Sequence, residues 1–599
     1  MNGAQGIDTS RRDAPRRSGP GRWREAHVPL AVCGLAFLVY SPSLFLGFVR
    51  DDIAQIVQNR QVQSWEYLPQ LLSSHLFSQL GPAETICFYR PVLSVWMLLV
   101  HTCGGLAPWV WHLSSLLLHV AATYLVFRLC RRLTGADVGA AAAAVIFAVH
   151  PIHVDAVTWI SASSEALSTI FALAAMLALL DSDRNPRSRV WVSALWYGAG
   201  LFTKETGIAV SAILVGVAWV QLKSRVSEVK RLWQAVSPFG AVTAGYLLIR
   251  VSVLHRVGVE TGEHTWAEVI FTSPSILLFY LNKLLLPWSL SGRYVNSITA
   301  SPTPLFWLQL TAVLMGVATI AWLALHNRPV LGLAAALIVI PVLPALAVIR
   351  IYSQGSMTND RYLYVPSVGL ALLVALLVKQ ICSLGRPAKL AVTGATIGLV
   401  AALSAQTILQ QRYYRDDLAF YSRVIEVNPS DTYARVLLGN LYLDERRVDL
   451  GLAQLQQANQ IDPGDQKVTL HLARGLFVAE KYHAAEAVLE TLLQTPQLDP
   501  KRRNVALLSL GNVEIPLGNL DYAQQLLRQV EQSDDKLPQL HWTLGVVLEK
   551  KGLLPQAIAE YEKEYAITGD RLSQERSAIL ARRIPSQPAG HVLMERSGR

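Results

Sequence analysis

Long apolar stretches alternate with short polar segments along the first two-thirds of the chain. The stretches that could enter a bilayer lie near residues 28–47, 90–104, 112–132, 138–152, 156–180, 190–203, 207–222, 233–254, 271–288, 305–325, 329–350, 361–382 and 388–408. A spanning helix needs roughly 20 apolar residues. The pattern therefore predicts a polytopic helical membrane domain over residues 28–410.

Positive charges between these stretches predict their orientation. Arg and Lys cluster in the N-terminal arm and in four loops, at 1–27, 128–132, 184–189, 223–231 and 379–389. Such an excess is typical of cytoplasmic segments. All of these segments can be cytoplasmic only if 90–104 and 271–288 do not cross fully, which leaves about eleven spans. We therefore expect a basic cytoplasmic arm at 1–27 and everything after residue 408 on the opposite side.

From residue 431 the pattern changes to a helical hairpin that repeats about every 34 residues. An apolar-small pair recurs at Leu438-Gly439, Leu472-Ala473, Leu510-Gly511 and Leu544-Gly545, with a four-residue insertion before the third. Small residues at this spacing let the two helices of a tetratricopeptide repeat (TPR) touch. The sequence thus predicts an all-α protein, in which a TPR α-solenoid over 411–573 follows the membrane domain and 574–599 form a flexible tail.

Three residues at equivalent positions of the repeats could face the concave groove of the solenoid. These are Asn440, Arg474 and Asn512. An Asn amide can both donate to and accept from a peptide backbone. We hypothesise that the three residues hold an extended client chain, and the alternative is that they are solvated helix surface.

Composition narrows the functional classes. Hydrophobic residues make up 52% of the chain and charged residues 16%, and the net charge is +10. Because much of the basic excess lies beside the apolar stretches, we expect the partner to be a lipid bilayer and not nucleic acid. The five cysteines, Cys33, Cys87, Cys103, Cys130 and Cys382, show no CxxC spacing. They predict neither a metal site nor a disulfide framework.

The predicted topology places polar residues from several apolar stretches on the face opposite the cytoplasm. They include Asp51-Asp52, Tyr89-Arg90, His150 to Asp155, Lys204-Glu205, Arg250 and Asp360-Arg361. An adjacent pair of carboxylates at a membrane surface can supply a general base and a partner that binds a metal or a hydroxyl. Alternatively, Asp51 and Asp52 cap a helix of the following loop. His150, His153 and Asp155 have a spacing that suits a metal, but Pro151 and the lack of a further pattern argue against zinc.

The motifs that carry these residues resemble one family. They are Phe48–Asp52, Phe88–Pro91, His150–Val157, Thr203–Ile208 and Asp360–Ser367. Together with C-terminal TPRs, their order is similar to that of the transmembrane-and-TPR-containing protein O-mannosyltransferases, which are GT-C glycosyltransferases. An acidic pair in the first external loop is the hallmark of the GT-C class. The compact loops are typical of a bacterial relative.

The resemblance implies an inverting glycosyltransferase that moves a sugar, mannose in this family, from a polyprenyl- or dolichyl-phosphate carrier to a hydroxyl of protein Ser or Thr. It implies Asp51 as the base that takes the acceptor proton, with Asp52 orienting the acceptor or assisting through a cation. The donor phosphate would be bound by Arg90, Lys204, Arg250 and Arg361. The sugar or acceptor would be bound by His150, His153, Asp155, Glu205 and Asp360. The TPRs would bind the acceptor protein. No metal ligand and no cofactor are assigned, although a divalent cation could take part.

The resemblance places the active site in a multi-pass membrane, either the bacterial inner membrane with periplasmic TPRs or the ER membrane with lumenal TPRs. A membrane-anchored TPR scaffold without catalysis is the main alternative. Transfer to a glycan or lipid, with the TPRs serving assembly, is an enzymatic variant. A transporter would need ionisable groups near the bilayer midplane, whereas here they gather at the ends of the stretches.

Overall fold

The computed structural model describes residues 21–80, 88–181, 186–221, 229–255, 264–326, 328–350 and 358–583. These residues are helical, apart from loops and one isolated antiparallel bridge between Tyr294 and Thr358. The chain divides into two compact units, with the boundary between Arg423 and Val424. The predicted all-α fold is therefore confirmed.

The first unit contains the apolar helices. They are α1 (Gly21–Tyr40), α2 (Leu68–Ser73), α3 (Pro91–Gly104), α4 (Pro108–Thr134), α5 (Asp137–Val149), α6 (Val154–Thr158), α7 (Ser164–Leu180), α8 (Pro186–Thr203), α9 (Ile208–Gln221), α10 (Val229–Leu254), α11 (Trp266–Leu285), α12 (Pro304–Leu325), α13 (Pro329–Val339), α14 (Leu343–Leu346), α15 (Tyr364–Cys382), α16 (Arg386–Gln411) and α17 (Asp417–Val427). The unit boundary falls inside α17.

Within the described residues, nine helical segments are long and apolar enough to cross a membrane, and a tenth results if α5 and α6, bent by 48°, form one broken span. The protein is thus a multi-pass membrane protein with somewhat fewer candidate spans than the eleven expected. The stretch at 207–222 forms α9, which has only 14 residues. The stretch at 271–288 belongs instead to a full-length candidate, Trp266–Leu285.

Lys283 explains the difference at α11. The residue lies in the last turn of the helix, and its Nζ donates to the carbonyls of Trp288 and Ser289, each at 3.0 Å. Its ammonium group also lies 4.9 Å from the centre of the Tyr294 ring. The charged group therefore lies at the end of a candidate span, where its free-energy cost is far lower than at the centre of a bilayer.

The second unit is built from helical hairpins. Its helices are α18 (Thr432–Asp444), α19 (Val448–Ile461), α20 (Gln466–Val478), α21 (Tyr482–Leu493), α22 (Pro500–Leu517), α23 (Leu520–Ser533), α24 (Leu540–Lys550), α25 (Leu554–Thr568) and α26 (Arg571–Ala581). In the first hairpin, a Cβ added to Gly439 would lie 3.1 Å from the carbonyl oxygen of Gly451. The helices touch through these glycines, as the TPR pattern predicts.

The two predicted terminal segments are described only in part. Helix α1 already begins at Gly21, so only 1–20 of the basic arm lie outside the described residues. At the other end, α26 extends to Ala581, into the segment expected to be a flexible tail, and residues 584–599 lie outside the described part of the chain.

Candidate functional site

The acidic pair lies directly after a backbone turn that follows the first candidate span. Arg50 has a positive φ of 53°, and Asp52 N donates to the Val49 carbonyl at 3.0 Å. After this turn the two carboxylates lie in different surroundings: Asp51 is exposed, whereas Asp52 is 0% exposed. Only Asp51 is open to a substrate.

Asp52 ties the loop to the segment before α7. Its Oδ1 accepts from the amide and the hydroxyl of Ser161, at 2.7 and 2.5 Å, and its Oδ2 accepts from the Val49 amide at 3.2 Å. Burial raises the pKa of Asp52 to about 7, although the bonds from Ser161 and Val49 lower it. Asp52 therefore holds the shape of the loop that presents Asp51.

Two guanidinium groups lie against the same indole ring. The Arg50 guanidinium is 4.4 Å and the Arg361 guanidinium 4.5 Å from the centre of the Trp159 ring. Within the described residues, Arg50 Nε and Nη1, Arg361 Nη1 and Trp159 Nε1 are buried without a hydrogen-bond partner. Buried donors are almost always paired, so several orphaned ones around one ring indicate that an anion or ordered water completes the site.

A third carboxylate, Asp155, connects this cluster to the end of the last span. Its Oδ2 accepts from the Arg361 amide at 3.1 Å, and its Oδ1 accepts from the Tyr414 hydroxyl at 3.0 Å. Asp155 is 1% exposed. It thus fixes the backbone that carries the Arg361 side chain.

Two of the other predicted cations, Arg90 and Lys204, are already paired with carboxylates. Arg90 donates from Nε and Nη2 to the two carboxylate oxygens of Glu205, each at 2.8 Å. Lys204 forms a buried ion pair with Glu165, and its Nζ lies 4.9 Å from the centre of the Tyr362 ring. Burial lowers the pKa of Lys204, and the charges of Arg90 and Arg361 lower it further, while Glu165 opposes the shift. The Lys204 pair therefore lies within electrostatic reach of Arg361, and the Arg90 pair within reach of Lys204.

The remaining predicted residues lie deeper or apart. His150 Nδ1 accepts from the Ile152 amide at 3.2 Å, and His153 Nε2 lies 2.8 Å from the Ser367 hydroxyl in an aromatic core. Asp360 accepts from the Tyr294 hydroxyl at 2.7 Å and is buried. Arg250 lies near the end of α10.

Several members of this cluster were not predicted as site residues. They are Arg50, Trp159, Ser161, Glu165, Tyr414 and Asp417. Ser161 and Glu165 follow the His150–Val157 motif closely, and Tyr414 and Asp417 follow the last apolar stretch. The signal available in the sequence was the position of these residues, just beyond a motif or an apolar stretch.

The repeat unit contains a groove of about 840 Å³. Its lining includes two of the predicted client-binding residues, Arg474 and Asn512, together with Trp542 and Glu564. The predicted residues are engaged with neighbours: Asn440 Oδ1 accepts from Arg474 Nη1 at 3.0 Å, and Asn512 Oδ1 accepts from the Thr543 hydroxyl at 3.1 Å. A client backbone would have to replace these hydrogen bonds in order to bind to Asn440 or Asn512.

The fold and the site together define a class: a multi-pass helical membrane protein that carries a TPR solenoid and an acidic pair beside clustered guanidinium groups. Comparison with known proteins agrees with this class. A family model described as dolichyl-phosphate-mannose-protein mannosyltransferase matches residues 90–249. That range contains Arg90, Trp159 and Lys204.

Curated relatives match a larger part of the chain. The protein O-mannosyl-transferase TMTC3 of Homo sapiens is 23% identical over 588 residues, which cover 87% of this chain and 62% of that protein. The protein O-mannosyl-transferase F38B6.6 of Caenorhabditis elegans is 24% identical over 453 residues, covering 74% and 64%. The Drosophila melanogaster Tmtc1 is 33% identical over 192 residues, covering 31% and 22%. The chain spans less than two thirds of the length of each of these relatives.

Two solved structures are also similar. ArnT from Cupriavidus metallidurans, bound to undecaprenyl phosphate, is 14% identical with a TM-score of 0.38, covering 82% of this chain and 85% of that one. The TPR protein YrrB is 20% identical with a TM-score of 0.23, covering 31% and 90%. The resemblance found in the sequence is confirmed by the family model and the relatives: the chain is related to the TMTC protein O-mannosyl-transferases.

Proposed function

We propose that the protein is an inverting glycosyltransferase that moves a sugar from a polyprenyl-phosphate carrier to a hydroxyl group of a protein. The proposal rests on the exposed Asp51 carboxylate, which directly follows Arg50. The guanidinium groups of Arg50 and Arg361 both lie against the Trp159 ring, and each has buried N–H groups without a hydrogen-bond partner among the described residues. A base and an anion-binding group at adjacent positions are what such a transfer requires.

Each group has a defined task in the reaction. Asp51 accepts the proton of the acceptor hydroxyl while the hydroxyl oxygen attacks the anomeric carbon. The bond between that carbon and the phosphate oxygen breaks, and the carrier phosphate leaves with the electron pair. Arg50 and Arg361 stabilise the negative charge that develops on this phosphate, because guanidinium groups bind its oxygens in a fixed geometry. Asp52 keeps Asp51 in place.

The relatives and the loop charges support our choice of sugar, acceptor and orientation. The relatives are named protein O-mannosyl-transferases, which favours mannose and a protein acceptor. The positive charges between spans favour a cytoplasmic N-terminus and extracytoplasmic TPRs. The repeat groove, with Trp542 and Glu564 in its lining, would bind the acceptor in extended form.

The test is a transfer assay with the purified full chain. Radiolabelled polyprenyl-phosphate mannose and Ser/Thr-containing peptides are supplied to the wild type and to Asp51→Asn, with unfolding temperature as the control for folding. We expect Asp51→Asn to lower kcat by about 10² or more, since general-base catalysis contributes that much. Equal transfer by the two proteins would exclude Asp51 as the base.

A non-catalytic scaffold is the second candidate, and the volume of the repeat groove favours it. It predicts that the wild type binds extended peptides but transfers no sugar from any polyprenyl-phosphate donor. Transfer by the wild type that Asp51→Asn abolishes would exclude this candidate.

A further inference from the structure

The segment after the last candidate span folds back over the loop that carries the acidic pair. Tyr414 at the end of that span is 2% exposed, and Phe420 in the segment after it is 1% exposed. The carboxylate Oδ1 of Asp417 accepts from the Arg50 amide at 2.9 Å. Because 367 residues separate Asp417 from Arg50, this contact joins the two ends of the membrane unit.

The Arg50 backbone needs such support. Its φ of 53° lies in the left-handed region, which is unfavourable for a residue with a Cβ and persists only where surrounding contacts hold it. The Asp417 carboxylate fixes the Arg50 amide from one side, and Asp52 fixes the Val49 amide from the other. Arg50 precedes Asp51 directly, so the conformation of this residue sets the direction of the Asp51 carboxylate.

The Arg50 side chain is held by the same segment. Its guanidinium lies between two rings, 4.4 Å from the centre of Trp159 and 4.4 Å from the centre of Phe420. The Phe420 ring packs edge-on against Tyr414 at 5.5 Å. It also fits closely over Gly292, where an added Cβ would lie 2.5 Å from Phe420 Cε2. Phe420 therefore has little room to move away from Arg50.

We propose that Asp417 and Phe420 are positioning residues for transfer, which hold Arg50 and through it the Asp51 carboxylate in the reactive arrangement. The inference rests on the proposed function, since it assigns these residues to the same site. Both residues contact Arg50, and we infer that each acts through it. Asp417 fixes the backbone of the loop, and Phe420 fixes the guanidinium.

The experiment compares Asp417→Ala with Asp417→Asn in the full-length protein. The Asn side chain keeps the oxygen that accepts from the Arg50 amide, whereas Ala removes it. We expect Asp417→Ala to lower kcat by about tenfold while the KM for the carrier changes by less than about twofold, because misorientation of the base affects the reacting state. Asp417→Asn should stay within about threefold of the wild type. Phe420→Leu should also lower kcat, since it removes the ring but not the apolar contact.

A second measurement does not depend on activity. Hydrogen exchange of the amides at residues 48–53 should be faster in Asp417→Ala than in the wild type, and restored in Asp417→Asn. Wild-type kcat and exchange in Asp417→Ala would overturn the inference, and so would an equal loss of kcat in the Ala and Asn variants or an effect confined to the carrier KM. If Asp51→Asn is inactive while Asp417→Ala is not, only the positioning role fails. If the wild type itself transfers nothing, the proposed function fails, and the exchange result alone decides whether Asp417 holds the loop.

Discussion

Helix α15, which begins three residues after Arg361, packs on both sides through glycines. A Cβ at Gly369 would lie 2.5 Å from the carbonyl oxygen of Ala334 on α13. A Cβ at Gly139 on α5 would lie 2.5 Å from the carbonyl oxygen of Ala375 on α15. Both obstacles are backbone atoms of a neighbouring helix, so they cannot rotate away. Close approach through small residues is the usual way in which membrane helices associate.

We predict that Gly369→Ala destabilises the membrane unit. Ordinary contacts of a Cβ begin at 3.4 Å, so α13 and α15 would have to separate by about 1 Å at this point. Overpacking of this kind costs about 1–3 kcal/mol, and the better helix propensity of Ala returns at most about 1 kcal/mol. With the full return subtracted, the net loss should be up to about 2 kcal/mol, with the larger Gly369→Leu losing more.

The assay is thermal unfolding of the purified protein in detergent, with Gly394→Ala as the matched control. Gly394 lies within α16, and nothing comes within 4 Å of a Cβ added there. The same substitution should therefore leave the unfolding temperature unchanged or raise it at Gly394, and lower it at Gly369. If Gly369→Ala behaves like Gly394→Ala, the close helix approach is not what these glycines provide.

Three further predictions concern single side chains. Asp52 retains its proton up to about pH 7 in the folded state, whereas an ordinary Asp releases it near pH 3.8. The wild type should therefore gain stability relative to Asp52→Asn as the pH falls from 7 to 4, by up to about 1.4 kcal/mol per pH unit. A constant difference in unfolding temperature between the two proteins over this range would contradict the prediction. Arg361→Lys should lower kcat about tenfold, because Lys cannot offer two parallel N–H groups to the charge that develops on the leaving phosphate. An unchanged kcat would argue against this role of Arg361. Arg474→Ala should weaken the binding of extended peptides to the repeat groove, as measured by fluorescence anisotropy. The substitution should lower the stability by less than about 1 kcal/mol, because the ion pair that it removes, with Asp444, is exposed. Unchanged peptide affinity would exclude Arg474 from the binding surface.

The helices and the repeats could be predicted from the sequence because their signals are local. Apolar length predicted the candidate spans, and the 34-residue spacing of pairs such as Leu438-Gly439 and Leu472-Ala473 predicted the hairpins. The exact number of spans could not be predicted in the same way. That number depends on where a charged residue such as Lys283 lies within its helix. The position of Lys283 is in turn fixed by the loop carbonyls to which its ammonium group donates.

The site could be predicted only in part, because its partners are distant in sequence. Asp51 and Arg361 were assigned from their motifs, but Arg361 receives its position from Asp155, 206 residues away. Asp52 bonds to Ser161 across 109 residues, and the Arg90 pair with Glu205 spans 115. Which carboxylate pairs with which cation is decided by how the helices pack. A pattern along the chain therefore identified the charged groups but not which of them remain free for a substrate.

A cluster in the repeat unit resembles a metal site. Glu531, His541 and Glu560 each place a potential ligand atom within 4.8 Å of the others. Cations, however, already contact the two carboxylates: Arg528 Nη1 lies 2.5 Å from Glu531, and its Nη2 lies 2.9 Å from Glu560. Lys563 Nζ adds a contact with Glu531 at 3.3 Å. The negative charge that would attract a divalent ion is therefore neutralised within the protein.

The histidine of this cluster is also unsuited to a metal. His541 Nε2 lies 2.9 Å from the carbonyl oxygen of Asp535, which can only accept, and Nδ1 lies 2.7 Å from Glu560. Both ring nitrogens thus already contact oxygens of the protein, and a metal would have to displace one of these contacts to bind. We therefore predict that micromolar Zn²⁺ leaves the unfolding temperature of the wild type unchanged. Replacing both Arg528 and Lys563 by Ala would free the carboxylates, and Zn²⁺ should then stabilise the protein, since a ligand that binds only the folded state raises its stability. Stabilisation of the wild type by Zn²⁺ would show instead that the metal displaces the ion pairs.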